Sequence, residues 1–220
     1  MRLFDPDSGI MRVLGRIVDL AWLNVITLIF CLPIFTIGAS LTALNYVTLR
    51  MKRGTEGYIF QNFWKSFKEN FKQSTIIWLI MVAIVVLNVL GFNMTLRTGG
   101  TLNSIVAGVQ IVGLAAVLLA SLWVFPLQSK FYNPIAATIT NALILGIRYF
   151  YKSLYMVIVI LLPMVLLLLS WRWFPVVLLF GMSMPAYFGA YAYDKQFEML
   201  ENRVMEREQE QEEELQEKEQ

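Results

Sequence analysis

Histidine is absent from this chain and cysteine occurs once, at Cys31. Without histidine there is no imidazole to titrate near neutrality or to ligate a metal. One thiol builds neither a disulfide framework nor a zinc site. Charge is scarce too: 15% of residues are Asp, Glu, Lys or Arg against 57% apolar, too greasy a balance for a soluble domain of 220 residues. The apolar runs hold no paired carboxylates, no phosphate-binding glycine loop and no nucleophile beside a base. A membrane enzyme needs ionisable groups at depth, where their cost marks function. The sequence therefore argues for a non-enzymatic protein, with no cofactor and no metal expected.

What is present is a series of long uncharged stretches. The first, 20–49, contains no Asp, Glu, Lys or Arg. As a helix of ~1.5 Å per residue it would be about 45 Å long, against a hydrocarbon core of about 30 Å. Pro33 stands where a bend is expected, because proline removes a backbone donor and clashes with the carbonyl four residues back. Thr36 and Ser40 follow at helical spacing and can re-satisfy that backbone. Thr36, Gly38, Ala39, Thr42 and Ala43 give a small-residue face suited to close helix packing. The predicted fold is an all-α, polytopic transmembrane bundle of about five spans: 20–49 kinked at Pro33, 74–92, 102–127, 154–169 and 174–192. An amphipathic lead, 1–19, precedes it and an acidic helical tail, 193–220, follows. The lead does not look like a cleavable signal, since Asp5, Asp7 and Asp19 interrupt its basic part. Asp5-Pro6-Asp7-Ser8-Gly9 reads as a turn and helix start; a calcium loop there would lack its distal Glu.

Between the first two spans, Phe60, Phe63, Trp64, Phe67 and Phe71 recur at three and four, with Lys65, Lys68 and Lys72 opposite. This pattern predicts an interfacial amphipathic helix on an anionic cytoplasmic surface; because it runs straight into a span, no nucleic-acid partner is expected. The connection 128–152, with Lys130, Arg148 and Lys152, reads the same way. Most loop lysine and arginine sits on these two connections, whereas only Arg97 and Arg172 lie on the other side. The positive-inside rule then makes the long connections and the acidic C-terminus cytoplasmic. Five spans place the N-terminus outside. If Pro33 instead turns the chain back, the N-terminus is inside and the remaining spans number four. At depth the polar residues are neutral: Asn24, Asn45, Asn88 and Gln110, with Thr27, Thr36 and Ser121. Such groups either bond between helices or line a route for an uncharged solute.

The residues Leu23-Asn24, Leu32-Pro33-x-x-Thr36-x-Gly38-Ala39, Ala43-Leu44, Glu56-Gly57-Tyr58 and FWKSFKENFKQS (63–74) resemble the YesL family of Gram-positive bacterial membrane proteins. The likeness covers most of 3–192, above all 20–74, and leaves the tail outside. It implies a multi-pass protein of the bacterial plasma membrane whose biochemical activity is not established. The family's genes typically lie beside those for carbohydrate ABC importers and polysaccharide-degrading enzymes. No ligand or catalytic residues carry over from it. The expectation that follows is an accessory or assembly partner of an oligosaccharide importer, touching permease subunits through the 38–43 face, the 60–71 stripe or the tail. The competing expectation is a small transporter or channel for a neutral solute, working as a homo-oligomer such as a dimer.

Overall fold

The computed structural model describes residues 9–55, 57–98 and 101–219. The turn expected at Asp5–Ser8 lies outside them, as do Glu56 and the glycines of the connection at 99–100. Among the described residues there is no strand. The helices are α1 (Gly9–Cys31), α2 (Ile37–Arg53), α3 (Ile59–Thr98), α4 (Thr101–Lys130), α5 (Ile135–Arg148), α6 (Phe150–Leu169), α7 (Phe174–Phe180) and α8 (Ser183–Glu219), with 3-10 turns at Ile34–Thr36 and Trp171–Trp173. Four helices are long and apolar enough to cross a membrane: Ile10–Cys31, Ile59–Thr95, Leu102–Lys130 and Phe150–Leu169. The pair Trp171–Phe180 and Ser183–Arg207, bent by 58° at its break, makes a fifth when taken as one span.

The run 20–49 is broken at Pro33, but it is not one kinked rod. α1 and α2 lie close at the turn, where the Thr36 hydroxyl donates to the Phe30 carbonyl at 2.6 Å. They meet again at their far ends, where Arg16 donates to the Met51 carbonyl at 2.7 Å. Two rods of similar length that touch at both ends must run antiparallel, so the chain doubles back. α2 then turns through Gly54 (φ 70°) into α3, pairing with it closely enough for Thr42 and Ser74 to hydrogen-bond at 2.9 Å. Ten of its 17 residues are buried, among them Gly38, Ala39, Ser40, Thr42 and Ala43. The small-residue face is thus spent inside the chain, against α3. Walled by protein on most sides, α2 has no need of a greasy surface, and at 17 residues it is also shorter than the four helices long and apolar enough to cross.

The aromatic stripe and the second span form one helix. α3 continues for 40 residues, about 60 Å at ~1.5 Å per residue. Nothing between Lys72 and Ile76 breaks it, for Gln73, Ser74 and Thr75 are all tolerated mid-helix. Phe63 and Phe67 are buried, while Phe60, Trp64 and Phe71 are more exposed. The stripe is covered partly by α1, whose Phe30 ring lies 5.4 Å from Phe63, 5.6 Å from Trp64 and 5.0 Å from Phe67. α4 passes through Pro126 without ending and stops at Lys130. Within the connection 128–152, α5 folds back along α4. A β-carbon on its Gly146 would come within 2.8 Å of the Leu119 side chain. Trp123, Val124, Tyr193 and Phe197 form one buried core, and Leu23, Ala39, Leu44, Val47 and Phe63 the other.

Candidate functional site

Two helix breaks, one cavity and one ion cluster carry the unusual chemistry of this bundle. Each break exposes helix-end carbonyls and amides that hydrocarbon cannot solvate. At the first, the Thr36 hydroxyl lies 2.6 Å from both the Phe30 and Pro33 carbonyls. Ser40 donates to the Thr36 carbonyl, and the Trp78 indole reaches across from α3 to the Ile34 carbonyl at 3.0 Å. At the second break, Asn24 of α1 spans the gap between α7 and α8. Its Nδ2 donates to the Leu178 carbonyl at 2.8 Å, and its Oδ1 accepts from the Met182 and Ser183 amides at 2.8 and 2.9 Å. One fully buried side chain thus closes a helix end and a helix start together.

Most of the other polar residues at depth are likewise engaged within the chain, whereas the Thr75 and Ser183 hydroxyls and the Gln110 Oε1 are buried without a partner. Asn45 donates to the Leu41 carbonyl and accepts from the buried Tyr193 hydroxyl at 3.2 Å. Asn88 donates to the Gln110 carbonyl at 3.2 Å, joining α3 to α4. Thr27 donates to the Leu23 carbonyl and Ser121 to the Leu118 carbonyl. Asn24, Thr36, Asn45, Asn88 and Gln110 therefore do not converge on one route; only Asn88 and Gln110 stand side by side. Closer to the basic end, Asn70, Gln128 and Thr138 make a buried polar chain across α3, α4 and α5.

A cavity of about 750 Å³ lies between α2, α4, α6 and the first turns of α8, with Trp78 of α3 at its edge. Its wall is apolar, built from residues such as Leu44, Trp78, Leu122, Phe125, Met156 and Ala186. Of the five polar positions above, only Asn45 borders it, and its amide is already bonded. α4 and α6 scarcely touch beside it. The gap between them is edged by Leu118, Ile160 and Leu161, all exposed, so the cavity opens sideways, where lipid would lie.

At the basic end of α2, Lys52 and Arg53 both pair with Asp194 of α8, the Arg53 Nε at 2.6 Å. Arg53 also reaches Glu201 at 3.2 Å, and Lys130 of α4 pairs with the same carboxylate. Lys52 further lies over the Tyr191 ring, 5.5 Å from its centroid. The cluster ties α2, α4 and α8 together at one end. Sequence reading placed Asp194 only at the start of a tail, and the alternation of charge gives no sign of partners 142 positions away. No group of three or more His, Cys, Asp or Glu suited to a metal occurs among the described residues.

Residues 20–92 match the model of a family described as a protein of unknown function, DUF624. The matched stretch takes in the second half of α1, all of α2 and the greater part of α3, hence the first break and the tight α2–α3 contact. No curated protein and no solved structure matches the chain.

Proposed function

We propose that the chain is a non-enzymatic, multi-pass protein of a bacterial plasma membrane, C-terminus inside, that acts by binding other membrane proteins. Its proposed partner is the permease of a carbohydrate importer of the ABC class, whose assembly or stability it assists. The partner's identity rests on the resemblance to the YesL family, with which the matched family model is associated. The mode of action rests on one structural observation: most polar side chains at depth are consumed in bonds within the chain, and those buried without a partner, Thr75, Gln110 and Ser183, stand on three different helices. A carrier of the discontinuous-helix kind leaves broken-helix backbone free to meet its cargo. Here Thr36, Trp78 and Asn24 fill both breaks. The alternative, passage of a neutral solute, draws little support from Asn24, Thr36, Asn45 and Asn88, which bond to separate partners, or from Gln110, whose unpaired side-chain oxygen does not line the cavity. Likewise the 38–43 face is unavailable to a partner, because α3 covers it. The exposed surfaces that remain are the outer edge of the aromatic stripe, the apolar flanks of α4 and α6, and the tail.

Gentle solubilisation of a tagged chain from its native membranes, followed by identification of co-purifying proteins, tests the proposal. Importer permease subunits are expected at stoichiometric recovery. Their consistent absence, with the chain itself intact and folded, removes the partner reading.

A further inference from the structure

One face of α3 changes character once along its length. Lys65, Lys68 and Lys72 are followed, at the same spacing of three and four, by Ile76, Leu79 and Ala83. All are exposed except the half-buried Ile76. Because the helix is unbroken from Ile59 to Thr98, these residues form one stripe, cationic as far as Lys72 and aliphatic beyond it. From Ile76 to Thr95 the helix rises about 30 Å at ~1.5 Å per residue, the thickness of a hydrocarbon core. Arg97 follows directly.

A second element marks the same boundary. The irregular segment 131–134, with Tyr132 exposed, is tied to α3 where Gln73 donates to the Asn133 carbonyl. Irregular backbone is not exposed to lipid within the hydrocarbon, so the level of Gln73 lies outside it. Lys68 and Lys72 thus stand among the headgroups, just below the acyl chains that pack on Ile76 and Leu79.

This arrangement is not that of a helix lying flat on the surface. The aromatic side, which a flat helix would press into lipid, is partly taken by Phe30 of α1, whereas the lysine side is bare. None of the three lysines is ion-paired among the described residues, and Glu69 is the sole acid of α3. The Lys68 ammonium rests over the Trp64 ring, 5.3 Å from its centroid. Lys68 and Lys72 are one turn apart, about 5–6 Å between β-carbons, so both can reach a single phosphate. An acidic soluble protein would meet the lysines but leave the aliphatic stripe bare. An anionic head joined to a hydrocarbon tail matches both parts.

We infer that Lys68 and Lys72 bind the phosphate of an anionic phospholipid of the basic-side leaflet, whose acyl chain lies along Ile76, Leu79 and Ala83. The site is built from α3 alone and does not depend on the proposed permease partner.

The full-length protein, carrying a photoreactive benzophenone side chain in place of Leu79, tests this in nanodiscs of equal phosphatidylglycerol and phosphatidylcholine. Mass spectrometry of the crosslinked chain should show phosphatidylglycerol captured with a preference on the order of tenfold. Lys68→Gln/Lys72→Gln should still capture lipid, with the preference reduced to within about twofold of unity, and Lys68→Arg/Lys72→Arg should keep it. Lys195→Gln/Arg203→Gln removes the same charge from exposed positions of α8 and should leave the preference unchanged. Equal capture of the two lipids with all lysines present would overturn the inference. So would an undiminished preference in the glutamine variant of α3, or an equal loss in the variant of α8. Capture of a second copy of the chain instead of lipid would show that protein covers this face, and would overturn it too.

Discussion

Gly38 shows at a single position why this chain packs as it does. A β-carbon there would press into the Ser74 carbonyl oxygen and stand 2.7 Å from Trp78 Cβ, and neither atom can yield without moving α3. Overpacking of this sort costs about 1–3 kcal/mol. Gly38→Ala should therefore lower the thermal midpoint in detergent clearly. Gly15→Ala, where nothing lies within 4 Å, should leave it unchanged or raise it slightly, since alanine favours helix by about 0.5–1 kcal/mol. Equal midpoints for the two variants would mean the α2–α3 contact is looser than described. Asn24 is the second position with a sharp expectation. Leucine in its place has similar bulk but leaves the Leu178 carbonyl and the Met182 and Ser183 amides without a partner, each worth about 1–3 kcal/mol. Asn24→Leu should destabilise much more than Asn88→Leu, which forfeits a single bond. Hydrogen exchange should speed up at residues 178–183 in the first variant alone. The type of Asn24 was readable from sequence as an interhelical group. Its partner was not, because the bonds join positions 158 and 159 apart; Gly181 and Pro185 four residues on mark a weak point in the helix but not what closes it.

At the level of the helices, the sequence carried the helical class, the greasy runs and the disturbance at Pro33. It did not carry the direction in which the chain leaves that proline. Composition treats 20–49 as one uncharged run, since neither half contains a charge to mark a boundary. The discriminating clue was the quality of the second half. Gly38, Ala39, Ser40, Thr42, Ala43 and Thr48 are too small and too polar to face lipid, and all are buried. The continuous α3 was hidden for the opposite reason: the amphipathic stripe and the span share one helical period, so the change of surroundings at Gln73 looks like a boundary although the backbone has none. The doubling back has a testable consequence for orientation. The turn at Pro33 lies beside Ser74 and Trp78 of α3, and Phe30 packs on Phe63 and Phe67, so the hairpin of α1 and α2 enters and leaves on the basic side, where Lys65, Lys68 and Lys72 stand. Reporter fusions at the N-terminus and at the C-terminus should then report the same, cytoplasmic, side. An N-terminal reporter active only outside would restore the single kinked span and refute the hairpin in the bilayer.

For the whole molecule, the ion cluster decides how the last helix is held. α8 is 37 residues long, yet burial ends near Glu201 and the charged stretch beyond is exposed where described. The junction between anchored and free helix is where Asp194 and Glu201 meet Lys52, Arg53 and Lys130. These two acids are not equivalent. Each has two cationic partners, but the Asp194 side chain is 9% exposed and that of Glu201 23%. Exposed pairs contribute about 0–1 kcal/mol, and breaking a buried one costs about 3–5 kcal/mol. Asp194 falls between these limits, because Lys52 and Arg53 are each about a quarter exposed and can take up water once abandoned. Asp194→Ala is therefore expected to cost roughly 1–3 kcal/mol, Asp194→Asn less because its amide oxygen still accepts from Arg53, and Glu201→Ala under about 1 kcal/mol. Limited proteolysis should register the same order, with cleavage creeping inward from the tail past residue 194 only in the Asp194→Ala protein. Truncation after Arg207 removes no described ion pair, so it should leave both the midpoint and the cleavage pattern of the remainder untouched. If instead the truncated chain melts early, the tail holds the bundle through contacts of its own and the anchor does not end at Glu201.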